Sequence, residues 1–266
     1  MKRLIVFAAL VVTALGLAGI ATADSKGPIN FESSQLYTTG PIGGQQGWTN
    51  AGGYEDANVV ATSNYTTVSY PGFGSQALQI SNAATSGAFD QTYAPALTNP
   101  AGGSATLSHF DASFKIGTAL ASYQPGSNLS VSPDDGTGNR MSYLRFEEHT
   151  NGVHVYFTDV TDKGPLGTVA NFNETDIATL SRGNVHSIAF AMTFKSGPDQ
   201  VKITIDGKLA ATGTSWKNYY KFDPEQSGNG NVVPTTSTLG FIERGTAVPS
   251  NAGNGYLLDN VTLSSS

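Results

Sequence analysis

The stretch that decides the fold is MSYLRFEEHTNGVHVYFTD, residues 141–159, where two runs of alternating apolar and polar residues flank Asn151-Gly152. An Asn-Gly pair between two such runs is the strongest short-range signal for a β-hairpin. With these two residues as the turn, the predicted cross-strand pairs are Thr150 with Val153, His149 with His154, Glu147 with Tyr156, and Arg145 with Thr158. The stretch therefore predicts two antiparallel strands joined by a two-residue turn.

The two faces of this predicted hairpin differ in character because successive side chains of a strand point to opposite sides. One face is apolar and consists of Leu144, Phe146, Val153, Val155 and Phe157. The other, which we call the polar hairpin face, consists of Tyr143, Arg145, Glu147, His149, His154 and Tyr156. The first set indicates a core-facing surface. The second is a rigid row of hydrogen-bonding and ionisable groups, suited to a polar ligand.

Strand-like runs recur along the rest of the chain, separated by turn signals such as Asp206-Gly207 and Asn254-Gly255. Residues 188–194 and 201–205 alternate in the same way, with apolar side chains on one side. Only residues 173–182 suggest a short turn of helix. Many two-faced strands with short connections predict an all-β fold, an antiparallel two-sheet β-sandwich (jelly roll).

The N-terminus has the three parts of a secretory signal peptide. Lys2 and Arg3 form the charged start, residues 4–20 are apolar, and Ala21-Thr22-Ala23 is a small-residue cleavage site. Removal of residues 1–23 would leave residues 24–266 as a single exported domain, secreted to the extracellular space or the periplasm. An uncleaved membrane anchor is the alternative. No second such segment follows, so no membrane insertion is expected after cleavage.

Composition and charge narrow the possible partners. The chain has no cysteine, which excludes disulfides, thiolate metal sites and a cysteine nucleophile. Its 14 basic and 20 acidic residues give a net charge of −6, with no basic run interleaved with aromatics. Nucleic acid is therefore not expected as a partner. Strongly anionic polysaccharides are disfavoured by the bulk charge.

An ordered series of short motifs gives the chain a family resemblance. The motifs are Asn30-Phe31-Glu32, Gly44-Gln45-Gln46-Gly47-Trp48, His186-Ser187-Ile188-Ala189-Phe190, Val201-Lys202-Ile203-Thr204-Ile205-Asp206-Gly207-Lys208 and Gly255-Tyr256-Leu257-Leu258-Asp259-Asn260-Val261-Thr262-Leu263. In this order they resemble the concanavalin A-like lectin/glucanase superfamily in its laminin-G-like bacterial form. The resemblance spans most of residues 24–266 and implies a two-sheet jelly roll with a concave face that often binds carbohydrate.

This superfamily includes lectins, glycoside hydrolases, polysaccharide lyases and adhesion modules, so the fold does not decide the function. The Glu-x-Asp-x-x-Glu strand signature of its retaining glucanases is absent from this chain. Retaining hydrolysis needs two carboxylates about 5–5.5 Å apart. Glu147 and Glu148 are a poor pair because adjacent strand residues point to opposite faces.

The candidate ligand-binding residues are Tyr143, Arg145, Glu147, His154, Tyr156 and Trp216. Tyrosine and tryptophan rings suit the apolar faces of sugars, and arginine suits carboxylates and hydroxyl groups. If the protein is a lyase, Arg145, His154 and Tyr156 would neutralise a uronate carboxylate and move the proton beside it. The alternative is a solvated face on which Arg145 pairs with Glu147 and the tyrosines cover their neighbours.

Other site types have less support. Glu32 and Asp259 are the candidate metal ligands, because the first and last strands of such jelly rolls are neighbours and hard oxygen ligands suit a structural Ca²⁺. Asp134 and Asp135, before Gly136, are a second candidate, although Asp-Gly more simply indicates a turn. The four histidines lack zinc-site spacing, and no Gly-x-Ser-x-Gly nucleophile elbow occurs.

These observations favour a secreted carbohydrate-binding, lectin-like module that acts without catalysis and has a polysaccharide or glycan as its partner. One alternative is a polysaccharide-cleaving enzyme, a lyase rather than a hydrolase. The other is an extracellular adhesion or structural module that binds a protein.

Overall fold

A computed structural model describes residues 22–51, 56–65, 71–84, 91–243 and 246–266. Residues 1–21, which form most of the predicted signal peptide, lie outside the described residues. Within the described ranges, no helix is long and apolar enough to cross a membrane.

Strands dominate the described chain. They are β1 (Asp24–Ile29), β2 (Gly40–Pro41), β3 (Thr49–Asn50), β4 (Ala57–Ala61), β5 (Gln76–Ile80), β6 (Thr92–Tyr93), β7 (His109–Thr118), β8 (Asn128–Asp134), β9 (Tyr143–His149), β10 (Gly152–Val160), β11 (Phe172–Leu180), β12 (His186–Thr193), β13 (Gln200–Ile205), β14 (Lys208–Gly213), β15 (Thr238–Glu243) and β16 (Tyr256–Ser265). One α-helix, α1 (Lys217–Phe222), lies between β14 and β15. Short 3-10 helices span Ser33–Gln35, Thr62–Asn64, Pro224–Asn229 and Pro249–Asn251.

The strands form two antiparallel sheets, which confirms the predicted all-β, two-sheet sandwich. The nine-stranded sheet has the order β14-β13-β12-β7-β16-β5-β4-β2, with β1 also paired to β16. The seven-stranded sheet has the order β11-β10-β9-β8-β15-β6-β3. The first and last strands are therefore neighbours, as predicted.

The core lies between the facing sides of the two sheets. The apolar hairpin residues Leu144, Phe146, Val153, Val155 and Phe157 are all buried there, as the alternation predicts. Phe114 of the opposite sheet meets Phe146 edge-on at 6.2 Å between ring centroids. Trp48 is fully buried and donates its indole N–H to the hydroxyl of Tyr37. Burial of such large apolar side chains supplies the main driving force for the sandwich.

The register of the central hairpin differs from the prediction. His149 pairs with Gly152, and Glu147 pairs with His154, so the turn is Thr150-Asn151 and every pair shifts by two residues. A positive φ at Asn151, which an Asn-Gly type I′ turn requires, does not occur, whereas Gly152 has φ 148°. The Asn151 side chain instead bonds to His154. A shift of two residues leaves both faces unchanged because side chains alternate with a period of two.

The turn of helix predicted for residues 173–182 does not form, because residues 173–180 belong to the strand β11. β11 pairs with β10 along nearly its whole length and forms the edge of the seven-stranded sheet. Polar residues such as Glu174 and Asp176 are bonded to side chains of the hairpin. Cross-strand pairing therefore prevailed over a weak local preference for helix.

Candidate functional site

The outer face of the seven-stranded sheet contains two distinct regions. The polar hairpin face lies on β9 and β10 beside β11. The second region is a groove beside α1, next to the turn that follows β8. They differ in how many of their polar atoms are free to bind a ligand.

On the polar hairpin face, Arg145 is already fully engaged. Its Nε and Nη2 donate to the two carboxylate oxygens of Glu174 at 3.0 and 2.7 Å. Its Nη1 forms an ion pair with Glu147. The guanidinium carbon also lies 4.1 Å from the centroid of the Tyr156 ring. Arg145 thus has two carboxylate partners inside the protein and covers one face of Tyr156.

The remaining polar groups of this face are also bonded to one another. The two ring nitrogens of His154 lie 2.6 Å from Asp176 Oδ2 and 2.9 Å from Asn151 Oδ1. The Tyr156 hydroxyl lies 3.3 Å from Nε2 of His149. The structure therefore brings Arg145, His154 and Tyr156 together as predicted, in a half-exposed network whose members satisfy each other.

Tyr143 and Trp216 help to hold α1 on the sheet. Tyr143 is buried, shares a 2.6 Å hydrogen bond with Ser130, and packs against Trp216 with 5.8 Å between ring centroids. The indole N–H of Trp216 donates to the carbonyl oxygen of Thr158 at 3.0 Å. These two aromatic residues anchor the helix, so neither presents a free ring face of the kind that a sugar-stacking platform needs.

The groove beside α1, which we call the α1 groove, has a volume of about 350 Å³. It is lined by Asp135, Asn139, Tyr220, Gln226, Asn229, Val232 and Pro234. This volume lies within the usual range for small-molecule sites, as does the mixture of a few polar groups with apolar side chains.

The turn after β8 forms one wall of the α1 groove. The carboxylate of Asp134 accepts the N–H groups of Gly136 and Gly138, and that of Asp135 accepts the N–H of Thr137. Asp135 also accepts a 2.8 Å hydrogen bond from the side chain of Asn139. The two aspartates therefore stabilise the turn, which is the role that the Asp135-Gly136 pair indicates.

Several polar atoms of the α1 groove remain unused. Within the described ranges, no hydrogen bond engages the Tyr220 hydroxyl or the side-chain oxygens of Asn139 and Asn229. The amide of Gln226, by contrast, donates to Tyr219 and accepts from Asn229. A ligand in the groove would therefore meet two amide oxygens and one phenol that have no protein partner.

Burial controls the ionisation of the groups around this groove. Burial and the nearby Asp134 raise the pKa of Tyr220, so its hydroxyl stays protonated at neutral pH. Burial also raises the pKa of Asp134 to about 6, although the two N–H groups that donate to its carboxylate lower it. The Tyr93 pKa is raised by burial as well. The phenol of Tyr220 is thus a hydrogen-bonding group rather than a proton acceptor.

Glu32 and Asp259 both lie against the segment that leads into β5. Glu32 accepts hydrogen bonds from Gln76 N–H and the Ser75 hydroxyl, and Asp259 accepts one from Gly74 N–H. Burial, with the nearby charge of Glu32, raises the pKa of Asp259 to about 6. In the described part of the chain, no group of three or more His, Cys, Asp or Glu side chains is placed to hold a metal ion. The calcium site stays a prediction built on two carboxylates.

No protein-family model matches this chain, and no curated protein sequence matches it. Among solved structures, it is similar to a sialidase with a TM-score of 0.46 and 12% identity, over 84% of this chain and 17% of that one. It is also similar to an endo-β-1,4-glucuronan lyase from the fungus Trichoderma reesei (TM-score 0.45, 13% identity, 86% and 95% of the two chains). A third is the carbohydrate-binding module CBM66 from Bacillus subtilis (TM-score 0.40, 11% identity, 82% and 94%). Identities this low concern the fold alone, and the superfamily suggested by the motifs stays a resemblance.

The sequence did not predict the α1 groove, although two of its features are visible in the sequence. Asp135 belongs to a recognised turn, and Tyr220 belongs to the aromatic run 216–220. No period in the sequence links residues 135–139 to residues 220–234, because only the packing of α1 on the sheet brings them together.

Proposed function

We propose that this protein binds a neutral glycan in the α1 groove and does not cleave its glycosidic bonds. The observation that carries the proposal is the set of unused hydrogen-bonding atoms on Asn139, Tyr220 and Asn229, next to the apolar side chains of Val232 and Pro234. A sugar ring presents hydroxyl groups at its rim and C–H groups on its faces, so it matches both parts of this lining.

The charge of the groove supports a neutral ligand. Among the described residues, its lining includes one carboxylate, Asp135, and no basic side chain. The whole chain is also acidic, with a net charge of −6. A uronate polymer would therefore meet repulsion rather than a positive partner.

Binding without cleavage is supported by the state of the groups that a lyase would need. Arg145 is bound by Glu174 and Glu147, which leaves it no open carboxylate position. His154 is held between Asp176 and Asn151. In the groove itself, Tyr220 keeps its proton because burial raises its pKa. From the N-terminal sequence, we also propose that the protein is exported from the cell and that residues 24–266 form a single domain.

Retention of the purified full-length protein on insoluble neutral polysaccharides, measured against alginate, tests the proposal. Tyr220→Phe removes one hydroxyl while keeping the buried ring, and Asn229→Ala removes an exposed amide. Loss of one hydrogen bond costs about 0.5–1.5 kcal/mol, so each variant should bind roughly two- to twelve-fold more weakly. Soluble sugars in the supernatant should stay at the level of a protein-free control.

Two further variants make the result specific. Ser227→Ala changes an exposed residue of the same 3-10 helix that does not line the groove, and it should bind like the wild type. Tyr156→Ala tests the polar hairpin face as the second possible location. Weakened binding by Tyr156→Ala together with unchanged binding by Tyr220→Phe and Asn229→Ala would move the site to the hairpin. Release of sugars would instead support the polysaccharide-cleaving alternative.

A further inference from the structure

Ser181, His186 and Asp206 form a connected series of side chains away from the α1 groove. The Ser181 hydroxyl lies 3.3 Å from Nε2 of His186, and Nδ1 of the same ring lies 2.7 Å from Oδ2 of Asp206. A nucleophile bonded to a base, which is itself oriented by a carboxylate, is the arrangement that activates a serine hydroxyl. Such contacts are often slightly long before a substrate binds.

The fold brings these three residues together where the chain crosses between the sheets. Ser181 directly follows β11, the edge of the seven-stranded sheet, and His186 begins β12 of the nine-stranded sheet. Asp206 lies in the tight turn between β13 and β14, where its φ is 50°. Ser181 is exposed in the turn between β11 and β12. The missing Gly-x-Ser-x-Gly elbow does not exclude a serine-histidine-aspartate arrangement, because such an arrangement is recognised by geometry rather than by a sequence motif.

With the His186 proton on Nδ1, toward Asp206, Nε2 is left to accept the Ser181 hydroxyl proton. Asn184 donates its amide N–H to the Ser181 hydroxyl oxygen at 2.7 Å, which leaves the hydroxyl proton for His186. Asp206 also accepts the backbone N–H of Ser187 at 2.8 Å, so its carboxylate is held in place beside the ring. The carbonyl oxygen of Ser181 lies 3.2 Å from Nε2 of His186 and can accept a hydrogen bond from the Nε2–H group once the ring is charged.

A small cavity opens beside these residues. It has a volume of about 10 Å³ and is lined in part by Ser181, Asn184 and His186. The rest of its lining includes Ile116, Val153, Leu180 and Tyr256. A cavity of this size holds about one water-sized group. An acetyl group, with its single methyl, therefore suits this cavity better than a longer acyl chain.

We propose that Ser181, His186 and Asp206 hydrolyse acetyl esters, with Ser181 as nucleophile, His186 as general base and Asp206 as positioning residue. This activity is independent of glycan binding in the α1 groove, since none of Ser181, His186 and Asp206 lines that groove. Ser181 is exposed, which makes it accessible to an ester carried on a larger molecule.

The reaction proceeds in two balanced steps. The Ser181 oxygen attacks the ester carbonyl carbon while its proton passes to His186 Nε2, the C–O bond to the alcohol breaks, and the alcohol leaves with that proton. Water then attacks the acetyl-Ser181 carbonyl and gives a proton to His186. The bond to Ser181 breaks, the serine regains its proton, and acetic acid is released.

The polar hairpin face supplies a matched control. His154 is paired with Asp176 at 2.6 Å, as His186 is with Asp206, but its second nitrogen meets Asn151 rather than a serine. If ester hydrolysis came only from a partly exposed histidine beside a carboxylate, substitution of His154 and substitution of His186 would therefore lower the rate equally.

The test is hydrolysis of p-nitrophenyl acetate by the full chain, with labelling by a fluorophosphonate followed by peptide mass spectrometry. We expect the label on Ser181, and a loss of at least 100-fold in kcat/KM for Ser181→Ala and His186→Gln. Asp206→Asn should lower kcat at least ten-fold with KM unchanged, and His154→Gln should leave both unchanged. The melting temperature of each variant shows that it is folded, and exposed Ser181→Ala should match the wild type.

Two substrate comparisons define the acyl group and its carrier. The butyrate ester should react at least ten-fold more slowly than the acetate, because extra methylenes do not fit the cavity. Acetate release from an O-acetylated xylan would identify sugar esters as the source of the acetyl group. Reaction with p-nitrophenyl acetate alone would identify small free esters as that source. The proposal is overturned by label elsewhere than Ser181, by full activity of Ser181→Ala, or by equal loss in His154→Gln. Glycan retention by these variants should not change, so failure here is distinct from failure of the α1 groove.

Discussion

At the scale of single residues, Asp134 carries a carboxyl group that is completely buried beside the α1 groove. Its Oδ1 accepts hydrogen bonds from two backbone N–H groups, whereas its Oδ2 has no hydrogen-bond partner among the described residues. Burial raises its pKa in the folded protein to about 6, above the value of about 3.9 in an unfolded chain. The unfolded state therefore releases this proton first as the pH rises.

This difference gives a prediction with a definite sign. The contribution of Asp134 to stability is fully present below about pH 4 and is lost as the pH rises through about 6. An asparagine at position 134 does not titrate. Between pH 4 and pH 7, the free energy of unfolding of the wild type should therefore fall by about 2 kcal/mol more than that of Asp134→Asn. Urea unfolding at the two pH values measures this. Equal losses in both proteins would show that Asp134 is already ionised at pH 4 in the folded state.

At the scale of secondary-structure elements, the central hairpin depends on Gly152. A Cβ atom at this position would lie 2.7 Å from the Leu180 carbonyl oxygen and 2.7 Å from Cγ2 of Thr179. β11 thus approaches the start of β10 so closely that only glycine fits there. In the observed pairing, Gly152 lies opposite His149 and the next residue, Val153, lies opposite Leu180.

Gly152→Ala should therefore destabilise the protein by about 1–3 kcal/mol for forcing extra atoms into a packed site, in addition to the strain of a non-glycine residue at its φ of 148°. Gly167→Ala is a matched control: its φ is also positive, at 92°, but a Cβ there would have nothing within 4 Å. It should cost only the backbone strain, about 1–2 kcal/mol. Urea unfolding of the two variants provides the comparison. A smaller loss for Gly152→Ala than for Gly167→Ala would contradict the close approach of β11.

At the scale of the whole molecule, Glu32 and Asp259 connect the chain just after β1, the last strand β16 and the segment that leads into β5. A Ca²⁺ ion bound by these two carboxylates would tie three distant parts of the sequence together. Because an ion bound only by the folded state stabilises it, calcium at about 100 times its Kd should add about 2.7 kcal/mol. For a protein of this size, that corresponds to an increase in melting temperature of roughly 5–10 °C.

Calorimetry with calcium and with a chelator measures this increase. Asp259→Asn should abolish the difference between the two conditions, whereas Asp135→Asn, at the turn after β8, should preserve it. No change in the wild type, or an unchanged difference in Asp259→Asn, would leave Glu32 and Asp259 as acceptors of the hydrogen bonds already described.

Across these scales, local sequence determined the character of the elements, because the alternation of apolar and polar residues reports directly which side of a strand is buried. It predicted the two-sheet sandwich and the two faces of the hairpin. It did not predict the strand at 172–180 or the helix at 217–222. Both depend on neighbours far along the chain: β10 for the strand, and Thr158 and Tyr143 for the anchoring of Trp216.

The sequence by itself determined the fold class, the cysteine-free acidic composition and the residues that make up the polar hairpin face. Only the tertiary structure decided that Arg145 is bound by Glu174, that Asn139, Tyr220 and Asn229 share a groove, and that Ser181, His186 and Asp206 are aligned. The physical reason is that side-chain alternation is a local property of each strand. Hydrogen-bond partners are selected by which strands and turns the folded chain brings within about 3 Å of each other.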